Sequence, residues 1–109
     1  MFQLPFTQVI LFAKENGTAK RKAIKTTPEF EQGIWSFPSV SSNHNVFPAG
    51  LCRVLIENLT VAGDLIVDPF CGTAKLLQVA RQLGRDAIGY EIDPAIKPFV
   101  NENLNGQLL

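Results

Sequence analysis

Residues 64–93 read DLIVDPFCGTAKLLQVARQLGRDAIGYEID, and this stretch decides the fold. Asp64-Leu65-Ile66-Val67-Asp68 is an apolar run of strand length that ends in a carboxylate. The turn Pro69-Phe70-Cys71-Gly72 follows, and then Leu76, Leu77, Ala80 and Leu83 recur at helical spacing. Gly84 stands where a helix stop belongs. Ala87-Ile88-Gly89-Tyr90 reads as a second buried strand, closed by Glu91. Two strands joined by a helix of this size run parallel with a right-handed crossover. The class is therefore α/β, and ligands of such units sit beyond the carboxyl ends of the strands. Asp68, Gly72 and Glu91 all fall there.

Spacing narrows the ligand. A glycine turn opening a helix lets the backbone approach a nucleotide-like group. An acidic residue about 20 positions on, at the end of the second strand, is placed to accept from two ribose hydroxyls. Glu91 follows Gly72 by 19 positions. The plainer alternative is a surface carboxylate after a strand. A phosphate-binding P-loop is excluded, because its G-x-x-x-x-G-K-[ST] pattern needs a second glycine before Lys75.

DPFCGTAKL resembles the DPFxGSGTT motif of the DNA amino-methyltransferases, which methylate the exocyclic nitrogen of adenine or cytosine. GYEID is similar to the GxEx motif that comes next in that family. GIWSFPSV and HNVFPAGL resemble the segment preceding both in beta-type members, so the likeness runs from about Phe6 to about Leu104. It implies a partial Rossmann-like S-adenosylmethionine-dependent methyltransferase fold, an incomplete parallel sheet flanked by helices. It also implies S-adenosylmethionine as cofactor and DNA as partner, in the setting of restriction-modification. Asp68, Phe70, Cys71, Gly72 and Thr73 would pass along the methionine part, Glu91 would hold the ribose, and Phe47-Pro48 would turn against the cofactor. Two departures stand out. The family's second glycine is Ala74, whose methyl would crowd the ligand and resist a positive φ. Lys75 puts a cation near a helix N-terminus, where the macrodipole disfavours it, though it can also face the ligand's carboxylate.

Composition sets the outer limits. The 109 residues are 46% apolar and 18% charged, which marks one globular domain or part of one. Ten basic and ten acidic side chains cancel, arguing against a strongly electrostatic nucleic-acid binder acting alone. No run of 18 apolar residues and no signal-peptide pattern occurs, so no membrane role and a cytoplasmic location are expected. Cys52 and Cys71 lack a metal-ligand spacing and read as reduced thiols. His44, the one histidine, has no second ligand nearby, so no metal site is expected.

Outward from the central unit, Phe6 or Thr7 to Phe12 reads as a strand covered on both faces. Residues 14–46 read as basic and Ser/Asn/Pro-rich loops, and 47–104 as the cofactor-binding core. Lys20, Arg21, Lys22 and Lys25 form the one basic patch, either weak contacts to DNA phosphates or a solvated loop. Trp35 reads as a packing anchor. Helices are expected at about 48–59, 73–83 and 98–104, and strands at about 7–13, 64–68 and 86–91. Leu51, Val54, Leu55 and Leu59 mark the buried face of the first helix, with Pro48 in its first turn. Asp93-Pro94 can cap the last helical segment, but interior Pro98 delays its regular start.

The family's catalytic Asp/Ser/Asn-Pro-Pro-aromatic motif has no counterpart, since no Pro-Pro dipeptide occurs. No catalytic residue is therefore assigned. The sequence reads as the C-terminal, cofactor-binding half of a split or truncated DNA methyltransferase, inactive alone. Its partner would be a second polypeptide carrying the catalytic motif, or it would self-associate. The alternatives are a non-catalytic remnant or accessory module with weakened cofactor binding, and another nucleotide-binding α/β protein or a methyltransferase acting on RNA or protein.

Overall fold

The computed structural model describes residues 9–10, 26–37 and 47–104. Its centre is the parallel pair expected from the sequence: β1, Leu65–Asp68, beside β2, Asp86–Gly89. Leu65 faces Asp86 and Asp68 faces Gly89 in register. The helix between them, α3, spans Lys75–Gln82 and ends in a Schellman motif. Gly84, at φ +78°, donates to the Arg81 carbonyl, and the Arg85 N–H donates to that of Ala80 at 2.9 Å. Arg85 then closes the corner with its side chain. Its guanidinium donates to Thr60 Oγ1 at 3.0 Å, to the Thr60 carbonyl at 2.9 Å and to the Leu83 carbonyl at 2.6 Å.

Ahead of β1 lies α2, Ala49–Leu59, and after β2 come a 3₁₀ turn, Pro94–Ile96, and α4, Lys97–Asn103. Asp93 caps the 3₁₀ turn by accepting from the Ala95 N–H. Pro98 sits in the first turn of α4, where a missing N–H removes no helical bond. Cys52 and Ile56 of α2 pack with Val79 and Ala80 of α3, and Ile66 and Ala87 of the sheet join them. A second cluster joins Ala74 and Leu77 to Val100 and Leu104, which docks α4 beside the first turn of α3.

Several expectations shift. α2 buries Cys52, Val54, Ile56 and Asn58; of the expected face Val54 is buried, Leu51 and Leu55 are half-buried and Leu59 is exposed. Cys52 and Ile56, one helical turn apart, face Val79 and Ala80 of α3. Pro48 is extended and precedes the helix as its cap, its carbonyl accepting from the Cys52 N–H. β2 stops at Gly89, although the Tyr90 N–H still donates to the Asp68 carbonyl at 2.9 Å. Within the expected 14–46 loops a short helix, α1, forms at Pro28–Glu31. Thr27 caps it, accepting from the Phe30 N–H, and Pro28 supplies the helical φ. Asn58 reaches across to accept from the Thr27 N–H at 2.6 Å, and Trp35 stacks on Phe30.

The expected first strand lies outside the described residues apart from Val9 and Ile10. Both are exposed and neither belongs to a strand, so at these two positions coverage on both faces is not found. Among the described residues the sheet has two strands, and helices line one face. On the other, Leu65, Val67 and Ile88 are 55%, 54% and 43% exposed. Parallel sheets usually bury both faces, and among the described residues no helix or strand covers this one.

Candidate functional site

The carboxyl ends of β1 and β2 meet at the Gly72 turn. Asp68 ends β1, and its Oδ1 accepts from the Phe70 N–H at 3.0 Å, folding the chain over. The Cys71 N–H donates to the Tyr90 carbonyl at 2.9 Å, carrying the ladder one step past both strands. Gly72 takes φ +53°, and nothing lies within 4 Å of where its side chain would project. The left-handed conformation and the open space make this the point of closest backbone access for a ligand. Ala74 N–H donates back to the Cys71 carbonyl at 2.8 Å, and α3 begins at the next residue.

Glu91 faces the same turn. Its Oε2 accepts from the Gly72 N–H at 2.9 Å and its Oε1 from the Asp93 N–H at 3.0 Å. One carboxylate thus ties the glycine turn to the segment following β2. Each oxygen keeps a second lone pair, so hydroxyl donors from a sugar can still be accepted.

Gly89 makes the approach possible. A Cβ there would stand 2.4 Å from Leu77 Cδ1 and 2.8 Å from Cys71 Cβ. Glycine inside a strand pattern signals such a contact, and this was the available clue to a residue the sequence reading left without a role. Beside the turn opens a cavity of about 310 Å³, whose walls include Cys71, Glu91, Asp93, Lys97 and Val100. Burial, followed by the negative charges of Asp68 and Glu91, pushes the Cys71 thiol above its ordinary range. Burial does the same to Cys52. Both cysteines are free, and at neutral pH neither is primed as a nucleophile.

Asp68, Phe70, Cys71, Gly72, Thr73 and Glu91 therefore come together at one tip. Phe47 and Pro48 stand at the entry to α2, with Phe47 largely exposed. Lys20, Arg21, Lys22, Lys25 and His44 lie outside the described residues. The expectation that Ala74 resists a positive φ is not met. Its φ is +66°, as the family's glycine would allow, but its methyl is fully buried with Leu77, Val100 and Leu104. It fills core. Lys75 donates to Gln78 Oε1 at 2.9 Å, turned along its own helix.

Among the described residues no helix is long and apolar enough to cross a membrane. A family model described as DNA methylase matches residues 5–102. The type II methyltransferase M.MjaI of Methanocaldococcus jannaschii is 37% identical over 67 residues, 62% of this chain and 22% of that protein. M.MthZI of Methanothermobacter thermautotrophicus is 36% identical over 57% of this chain and 18% of its own length. M.BglI of Bacillus subtilis is 36% identical over 67% of this chain and 22% of its own. The chain thus spans about a fifth of the length of these relatives.

Proposed function

The chain belongs to the DNA methylase family, and on that premise we propose that it is the S-adenosylmethionine-binding part of a DNA amino-methyltransferase. The observation that carries this reading is the Glu91 carboxylate joined to the Gly72 N–H at the strand tips. S-adenosylmethionine supplies an electrophilic methyl group when bound. This chain's own residues bind and orient it. Glu91 accepts the ribose hydroxyls on its remaining lone pairs, and Asp68, Phe70, Cys71, Gly72 and Thr73 flank the methionine part. Phe47 and Pro48 close the entry beside α2. The open space at Gly72 and the exposed Glu91 fit such a group.

The whole of 1–109 is one cofactor-binding part, with 47–104 as its core. The acceptor is the exocyclic amino group of adenine or cytosine in DNA, as in cytoplasmic restriction-modification, with Lys20, Arg21, Lys22 and Lys25 on the phosphates. Residues 1–109 contain no Pro-Pro dipeptide, and the partner in this reading is a second polypeptide carrying that motif or a further copy of the chain. The bare apolar face at Leu65, Val67 and Ile88 supports an association of this kind. The alternative of a remnant with weakened binding drew on Ala74 and Lys75. Neither the buried methyl nor the Lys75–Gln78 bond favours it.

Calorimetric titration with S-adenosylmethionine tests the proposal, and a dissociation constant in the micromolar range is expected. Charge-assisted bonds contribute about 1.5–3 kcal/mol, so Glu91→Ala should weaken binding roughly ten- to a hundredfold. Glu91→Gln should come close to the alanine variant. Its amide has a single acceptor oxygen, so its NH₂ must confront one of the two backbone N–H groups. No heat at millimolar ligand with the unaltered chain would overturn the reading.

A further inference from the structure

The peptide linking Thr73 to Ala74 is held from both sides. Its N–H, on Ala74, donates to the Cys71 carbonyl at 2.8 Å. Its carbonyl, on Thr73, accepts from Asn103 Nδ2 at 2.6 Å. Asn103 lies 30 positions away, in the last turn of α4, half-buried against the turn. The conformation of this peptide matters because Ala74 is the one described non-glycine residue with positive φ, a region that disfavours side chains with a Cβ. Rotating the peptide would move ψ of Thr73 and φ of Ala74 together, and would let Ala74 relax to a negative φ. It would also swing the Ala74 N–H away from Cys71 and dissolve the turn that presents Gly72. Two hydrogen bonds oppose that rotation, and one of them comes from outside the turn.

We infer that Asn103 is a positioning residue for the cofactor turn, holding the Thr73–Ala74 peptide in the orientation that presents the Gly72 backbone. The inference rests on the cofactor-binding role proposed above. Packing of Val100 and Leu104 against Ala74 and Leu77 delivers the amide to the Thr73 carbonyl at a set distance. α4 thereby acts as a strut from the distal side of the core to the ligand turn. Its hydrogen bond determines the geometry of the turn, and its apolar residues determine stability.

The experiment compares Asn103→Ala, Asn103→Asp and Ile56→Val in the 109-residue chain, below the melting temperature of each. Amide hydrogen exchange at Ala74 and calorimetric titration with S-adenosylmethionine are the two readouts. Asn103→Ala should expose the Ala74 amide to faster exchange and weaken binding about tenfold, the equivalent of one lost hydrogen bond. Ile56→Val, in the core between α2 and α3, should lower the melting temperature by a comparable amount, yet leave Ala74 protected and affinity within roughly twofold. Asn103→Asp should behave as alanine at neutral pH, because a carboxylate cannot donate to a carbonyl. Below about pH 4 its protonated oxygen can donate, and protection at Ala74 should exceed that of Asn103→Ala at the same pH. Unchanged Ala74 exchange in Asn103→Ala, or equal affinity losses in Asn103→Ala and Ile56→Val, would overturn the inference. If the unaltered chain takes up no S-adenosylmethionine, the cofactor reading fails, and the exchange data alone decide the place of Asn103.

Discussion

Around the amino ends of β1 and β2, neighbouring residues satisfy one another's backbone groups. The Gly63 N–H donates to the Gly84 carbonyl, Arg85 binds carbonyls from the ends of α2 and α3, and Gly84 closes the Schellman turn. Around the carboxyl ends the bonds are as numerous, yet Phe70 and Ile92 stand 87% and 97% exposed, and Ala74 holds a left-handed conformation. At one end the backbone groups are closed by neighbouring residues. At the other, the backbone is hydrogen-bonded as well while Phe70 and Ile92 remain in water, as on a surface that meets a ligand or another chain. The contrast separates stability from recognition within a single βαβ unit.

That separation breaks most readily at Gly89, which serves both. Gly89→Ala would press its methyl on Cys71 Cβ, which is anchored to backbone and cannot swing aside as Leu77 Cδ1 can. Overpacking of this kind costs about 1–3 kcal/mol. The melting temperature and cofactor affinity should fall together. Adding Cys71→Gly should recover part of the loss, and failure of that double variant would show that the clash is not with Cys71.

Arg85→Ala sharpens the contrast at the closed end. Removing three charge-assisted bonds in a partly exposed setting should cost about 1–2 kcal/mol by urea unfolding. Binding of S-adenosylmethionine to the folded fraction should stay unchanged, and a weaker dissociation constant would mean the two ends are coupled.

Ala74→Gly should give the smallest effect. Relief of left-handed strain, about 1–2 kcal/mol, is offset by unfolded-chain entropy and by loss of a buried methyl, about 0.8 kcal/mol. A net stability change under about 1 kcal/mol is expected, with little change in affinity, because the methyl faces Leu77, Val100 and Leu104. Clearly tighter binding would mean that this methyl restrains the ligand side after all.

The parallel unit, its Gly72 turn, its Gly84 stop and the placement of Asp68 and Glu91 were legible because each signal lies in residues close along the chain. A glycine where φ must be positive, leucines at helical spacing and a carboxylate at a strand end report local conformation directly. The start of the last helix was also readable, since Asp93-Pro94 and Pro98 constrain their own backbone. The short α1 helix was missed although Thr27-Pro28 carries a start signal, because the surrounding basic residues gave the segment the look of a loop.

By itself, then, the sequence determined the α/β class and which residues gather at the strand tips. Only the tertiary structure decided which way the Ala74 methyl points, which face of α2 is buried, and which sheet face stays open. It alone also joined Asn103 to Thr73 and Asn58 to Thr27, across 30 and 31 positions. The physical reason is that φ preference and periodicity act within a few residues. The direction of a side chain, and the distant group that meets it, depend on how finished elements pack.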